Sequence, residues 1–155
     1  MLDDFAVGRA ELRLVDRRHP ALKAACVPLP ITPEYLDRAC ALGMIMTNLC
    51  VVHQGLGLSA PQVGVRWRVV VVKTASGFIT AINPTWTPEG QGKTAAVEGC
   101  LSDPGLRLFV SRYRSIRVVY TDVCGHTVTI YCRDLAARVW QHEIDHLDGV
   151  CIWDK

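Results

Sequence analysis

Apolar residues recur at three- and four-residue intervals from Tyr35 through Ala39, Leu42, Met46 and Leu49, the spacing of one face of an α-helix. The residues just before this stripe mark where the helix starts. Thr32 can cap it, Pro33 suits the first helical position, and Glu34 favours the positive end of the helix dipole. The stripe continues to about His53, after which Gly55 and Gly57 stop the helix and open an extended segment. Upstream, His19-Pro20, Pro28 and Pro30 oppose helix, so residues 1–31 are expected to form an irregular arm.

Downstream the pattern changes to alternating or continuous β-branched residues. Arg68 to Lys73 is a run of valines, Phe78 to Asn83 ends in a Pro turn, and Ser115 to Tyr120 and Thr127 to Cys132 flank a Cys124-Gly125 turn. Each predicts a short strand. A second helix is expected from about Asp134, its cap, to Leu147, closed by Gly149 and followed by a short strand from Val150 to Trp153. Two helices among several short strands, without βαβ alternation, predict an α+β fold. The 155 residues, half of them hydrophobic, suffice for a single domain spanning 1–155, and no internal repeat suggests otherwise.

Composition narrows the function classes. A net charge of +2 gives no argument for nucleic acid or an anionic membrane, and the arginines at 66, 68, 107, 114 and 117 are read as solvated rather than as a face toward ribosomal RNA. No apolar stretch of about eighteen residues is evident, and the acidic start Met-Leu-Asp-Asp-Phe has no signal-peptide core. A cytoplasmic location is expected. Seven cysteines, odd in number and without a C-x-x-C pair, argue against a disulfide framework and for reduced thiols. Apart from Cys100, they are read as small buried hydrophobes.

The chemistry concentrates in Gln141-His-Glu-Ile-Asp-His-Leu-Asp-Gly149. His142 and His146 stand one helical turn apart and can reach one metal ion from the same face. If Cys100, in Glu98-Gly-Cys-Leu-Ser102, supplies a third bond, Glu143 is free to exchange protons with an attacking water as general base and then general acid. A thiolate ligand lowers the charge of the site, leaves that water a weaker acid, and makes Glu143 more necessary. H-E-x-x-H alone leaves several metallohydrolase families open. His19, His53 and His126 have no partner spacing and are read as ordinary polar residues.

A third segment, Gly55-Leu-Gly-Leu-Ser-Ala-Pro-Gln62-Val-Gly64, precedes the other two. In this order, and at these intervals, the three motifs resemble the peptide deformylases, and the resemblance runs from about Leu14 to Ile152. It implies a motif helix inside small, mostly antiparallel sheets, and removal of the N-formyl group from the N-terminal formyl-methionine of nascent polypeptides. It further implies iron(II), Fe2+, as the native ion, with Zn2+, Ni2+ or Co2+ able to occupy the same ligands. Oxyanion donors would be the Gln62 amide and the Leu101 backbone N–H. Gly57 and the strand near Leu108 to Val110 would pair with the peptide, while Leu56, Ala96, Leu135 and Val139 would form the methionine slot. Glu98 would pair with Arg112 to hold the Cys100 loop.

Partners implied are formyl-Met nascent peptides and the ribosome near its exit tunnel, with no membrane or specific nucleic acid, and a monomer is expected. The sequence departs from many bacterial members in ending nine residues beyond His146, where they continue into a C-terminal helix. That short form resembles bacteriophage-encoded deformylases. Ser59 stands where alanine is commonest, and Asp103 where many relatives have an apolar residue. Rival readings are another H-E-x-x-H amidase or peptidase, which the contexts of Cys100 and Gln62 disfavour, and a non-catalytic relative, which would be expected to lose Glu143 or Gln62.

Overall fold

The computed structural model describes residues 11–155; the first ten residues of the expected arm lie outside them. Helix α1 is Pro33–Val52, capped by the Thr32 hydroxyl, which accepts from the Tyr35 N–H. Seven strands follow: β1 Gly57–Ser59, β2 Val69–Thr74, β3 Gly77–Pro88, β4 Lys93–Cys100, β5 Asp103–Tyr113, β6 Ser115–Thr121 and β7 Thr127–Arg133. Helix α2, Asp134–Leu147, comes last. β1, β2, β3, β6 and β7 form one antiparallel sheet in that order, and β4 and β5 form a separate hairpin. The α+β expectation holds.

The valine run explains how the layers meet. Val69 and Val71 pack with Leu42, Met46 and Ile82 against α1, while Val70 and Val72 pack with Ile116, Val118 and Trp140 against α2. β2 is therefore buried on both faces, which is why it reads as a continuous apolar run rather than an alternating one. Each fully buried valine contributes roughly 1.5–3 kcal/mol of burial. α2 ends up sandwiched between the large sheet and the β4–β5 hairpin, with its polar residues enclosed.

Four expectations are corrected. Val150 to Trp153 is not a strand: Gly149 takes a positive φ of 75° and the chain closes in a 3-10 turn over Ile152–Asp154. β3 does not stop at Pro84, because a bulge at Asn83 (φ 50°) absorbs the proline. The Asn83 side chain fixes that bulge by donating to the Leu29 carbonyl and accepting from the Leu29 N–H. The cap of α2 falls at Arg133; Asp134 is already the first helical residue, at φ 53°, and pairs with Arg114. Finally, α1 is long and apolar enough by length and composition to cross a bilayer. Here Ala39, Leu42, Met46 and Cys50 are buried in the core while Met44, Val51 and Val52 are exposed, so α1 packs one face on the core of this fold.

Candidate metal centre and active site

Cys100 ends β4 at a register shift, where Glu98 pairs with Leu108 but Cys100 pairs with Asp103. The Arg107 guanidinium lies over Gly99, 2.5 Å from where a Cβ would stand. The shift aims the Cys100 sulfur at α2. Sγ lies 3.4 Å from His146 Nε2, which lies 3.2 Å from His142 Nε2. All three donor atoms fall within 4.8 Å of one another, on residues exposed by only 6, 8 and 1 % for Cys100, His142 and His146. One thiolate and two imidazoles converging on a point match the donor set of a divalent metal with an open coordination position. This chain therefore fits a metal ion.

Glu143 stands beside this cluster, buried, and its Oε2 has no hydrogen-bond partner among the described residues. Burial pushes its carboxyl up to about 7, against the opposing pull of His142 and Arg112. Gly57 in β1 makes room for it: a Cβ there would come within 2.9 Å of Glu143 Cγ and Oε1 and 3.0 Å of Val139. An orphaned, proton-ready carboxylate next to a metal site is the expected form of a general base.

Glu98 is held from three sides. Arg112 donates to both its oxygens through Nε and Nη2, Arg138 donates to Oε2 at 2.7 Å, and His142 Nδ1 lies 2.9 Å from Oε1. Burial opposes ionisation of Glu98, but the hydrogen bonds from His142, Arg112 and Arg138 outweigh it and hold the carboxyl at about 2. Arg112 also reaches Asp145 at 2.8 Å, tying the hairpin to α2. The expected Glu98–Arg112 pair is thus present within a larger network. The two histidines differ. Burial disfavours a proton on each, but Cys100 and Glu98 raise His142 to about 10, whereas neighbouring His142 and Arg112 help keep His146 well below its ordinary value.

Gln62 has its amide oriented by Ser59, whose backbone N–H and hydroxyl both donate to Oε1, at 3.0 and 2.9 Å. Nε2 is left facing Cys100 Sγ and Ser102 Oγ, each at 3.5 Å. The residue satisfies its own turn with one end and offers donors to the site with the other.

A cleft of about 470 Å³ opens over these groups. Leu56, Gly57, Gln62, Cys100, Leu101, Leu135, Val139, His142 and Glu143 line it, as do Val97, Pro104 and Arg107. Ala96 does not: it lies opposite Val110 in the hairpin, and its neighbour Val97 lines the cleft instead. Alternation along β4 separates the two. Leu135, expected in the methionine slot, lines the cleft but is largely exposed. Asp103 pairs with Arg17 of the N-terminal arm at 2.9 Å.

Sequence reasoning missed Arg138, which is buried, lines the cleft, and donates to Glu98, the Val110 carbonyl and the Thr94 carbonyl. The available signal was a charged residue one helical turn before His142, on the stripe that the helix buries. His53, expected to be an ordinary polar residue, lies at the cleft edge. Arg68 and Arg114 pair with Asp148 and Asp134, so these charges are offset locally.

A converging thiol and imidazole pair at the floor of an open cleft, with a buried carboxylate alongside, defines a metal-dependent hydrolase. Residues 12–155 match the family described as polypeptide deformylase. A peptide deformylase of Carboxydothermus hydrogenoformans is 36% identical over 147 residues, covering 94% of this chain and 93% of that protein. The crystal structure of peptide deformylase from Thermotoga maritima superposes with a TM-score of 0.85 at 33% identity, covering 94% of this chain and 97% of that one. The actinonin-bound enzyme of Vibrio parahaemolyticus bacteriophage VP16T gives 0.83 at 33% identity, covering 91% and 100%. This chain belongs to the polypeptide deformylase family.

Proposed function

We propose that this protein hydrolyses the formamide of N-formyl-methionyl peptides, with Cys100, His142 and His146 as metal ligands, Glu143 as proton carrier, and Gln62 with the Leu101 N–H as oxyanion donors. The observation that carries this assignment is the buried, unpartnered Glu143 oxygen beside three converging ligand atoms. The bound ion would act as a Lewis acid, lowering the pKa of water at its open position and polarising the formyl oxygen. Iron(II) is the proposed native ion, with zinc, nickel or cobalt as substitutes in the same donor set.

Glu143 takes a proton from the attacking water as its oxygen bonds to the formyl carbon. Gln62 Nε2–H and the Leu101 N–H donate to the carbonyl oxygen as it gains negative charge; Ser59 holds the amide in that orientation beforehand. Glu143 then delivers its proton to the methionine nitrogen as the carbon–nitrogen bond breaks, leaving formate and a free amine. Val139 and Leu56 line the slot for the methionine side chain, and Gly57 admits Glu143. Nascent bacterial-type polypeptides leaving the ribosome are the proposed source of substrate, with the protein acting as a monomer.

The test is formate release from formyl-Met-Ala-Ser by protein reconstituted anaerobically with Fe2+, beside Glu143→Ala. Release by the wild type, lost in the variant while metal content is retained, supports the assignment. A folded, fully loaded wild type that releases no formate overturns it.

A further inference from the structure

We infer that the Cys151 thiol is the hydrogen-bond acceptor that fixes the tautomer and ring orientation of His146, making Cys151 a positioning residue for the metal centre. The inference rests on His146 being a ligand, and it concerns a residue outside the three motifs. His146 turns Nε2 toward Cys100 Sγ, at 3.4 Å, and toward His142 Nε2, at 3.2 Å. A neutral imidazole that offers its Nε2 lone pair to an ion carries its hydrogen on Nδ1. That nitrogen lies 3.4 Å from Cys151 Sγ, within reach of a sulfur acceptor.

The thiol's own hydrogen has a separate destination. Cys151 Sγ donates to the Leu22 carbonyl at 3.7 Å, leaving the sulfur lone pairs toward His146. The position of Cys151 is fixed in turn by the 3-10 turn at Ile152–Asp154, with its N–H bonded to Asp154 Oδ2 at 2.8 Å. Cys151 is 2 % exposed, so water does not readily substitute for it. The result is a directed chain from His146 Nδ1–H to Cys151 Sγ–H to the Leu22 carbonyl, linking the metal site to the N-terminal arm.

The two imidazoles are therefore backed unequally. His142 rests on the Glu98 carboxylate at 2.9 Å, a strong charge-assisted partner, while His146 rests on a neutral sulfur, a weak acceptor. Partners of this kind orient a ligand and raise its basicity, and their loss typically lowers metal affinity by roughly 10- to 100-fold. His146 is the ligand held by the weaker partner, and Cys151 is what holds it.

The experiment loads the protein with Co2+ and compares wild type, Cys151→Ser and Cys151→Val in chelator-driven metal loss and in the ring N–H signal of His146 by nitrogen-15 NMR on the Zn2+ form. Serine retains an acceptor; valine fills the space without one. The expected result is that Cys151→Val loses Co2+ about tenfold faster or more. Cys151→Ser should stay near wild type, with the Nδ1–H resonance displaced by the change from sulfur to oxygen. Equal metal loss in both variants, or a His146 resonance unmoved in Cys151→Ser, overturns the inference. If Cys151→Val does not fold, the resonance in Cys151→Ser decides alone. Co2+ binding by His146→Ala tests the ligand assignment separately, since undiminished affinity there would remove His146 from the metal site whatever Cys151 does.

Discussion

Helix α1 spends 20 residues burying Ala39, Leu42, Gly43, Met46 and Cys50, whereas the 14 residues of α2 bury Arg138, Gln141, His142, Glu143 and His146 beside Ala137, Trp140, Ile144 and Leu147. Burial stabilises α1 directly through apolar area. In α2 the same burial strips water from charged and polar groups, which is unfavourable unless each finds a partner. For Arg138, His142 and Gln141 those partners come from elsewhere in the chain: Glu98 in β4, the Val110 carbonyl in β5 and the Tyr113 backbone, which exchanges hydrogen bonds with Gln141 at 3.1 and 2.8 Å. The core helix can form its interface with any well-shaped apolar surface. The site helix depends on one particular hairpin.

The sharpest way to break this contrast is Glu98→Ala. It leaves Arg112, Arg138 and His142 without their shared carboxylate, and removing one member of a buried ion pair costs about 3–5 kcal/mol. Denaturant unfolding should show that loss, and the surviving folded protein should hold metal poorly because His142 has lost its backing. Full stability with full metal content would show that the network is dispensable. Leu42→Ala is the counterpart on α1. Leu42 is fully buried, and the substitution should cost roughly 2–5 kcal/mol. Here the folded fraction should retain metal and formate release, because α1 contributes none of the converging ligands. A matching fall in metal affinity would mean that the two helices are not independent.

Val139→Phe probes the cleft itself. Val139 lines the cleft, so a larger ring there should narrow the proposed methionine slot. KM for formyl-Met peptides should rise about tenfold or more, as a mismatch in an apolar pocket implies, with a smaller change in kcat. Unchanged kinetics would move the slot elsewhere.

The same contrast explains what was legible in the sequence. α1 could be read almost residue by residue, because Thr32, Pro33, Glu34 and the apolar spacing are local instructions. His142 and His146 were legible because one helical turn fixes their relation, and Cys100 through its motif. Arg138 and Cys151 were not, since their roles depend on where β4 and the Leu22 carbonyl arrive in space. The β4–β5 hairpin likewise escaped the pattern: Lys93 to Glu98 carries few β-branched residues, and its pairing is set by tertiary contacts. The 3-10 turn after Gly149 was mistaken for a strand because a short apolar run does not distinguish the two.

Ser59→Ala is the smallest effect and the most discriminating. Two donors from Ser59 converge on Gln62 Oε1, the N–H at 3.0 Å and the hydroxyl at 2.9 Å. Alanine keeps the first and removes the second, a net loss of about 0.5–1.5 kcal/mol. If the hydroxyl serves only the turn, that loss appears in stability and nowhere else. If it holds Gln62 ready for charge that develops during reaction, kcat should fall by about two- to tenfold with KM nearly unchanged, because such a donor acts on the transition state rather than on bound substrate. The double variant settles which. Gln62→Ala should itself lower kcat by about 10²- to 10³-fold, and adding Ser59→Ala should then change nothing further, since the hydroxyl acts through the amide it orients. Additive losses would show that Ser59 reaches the reaction by some route other than Gln62.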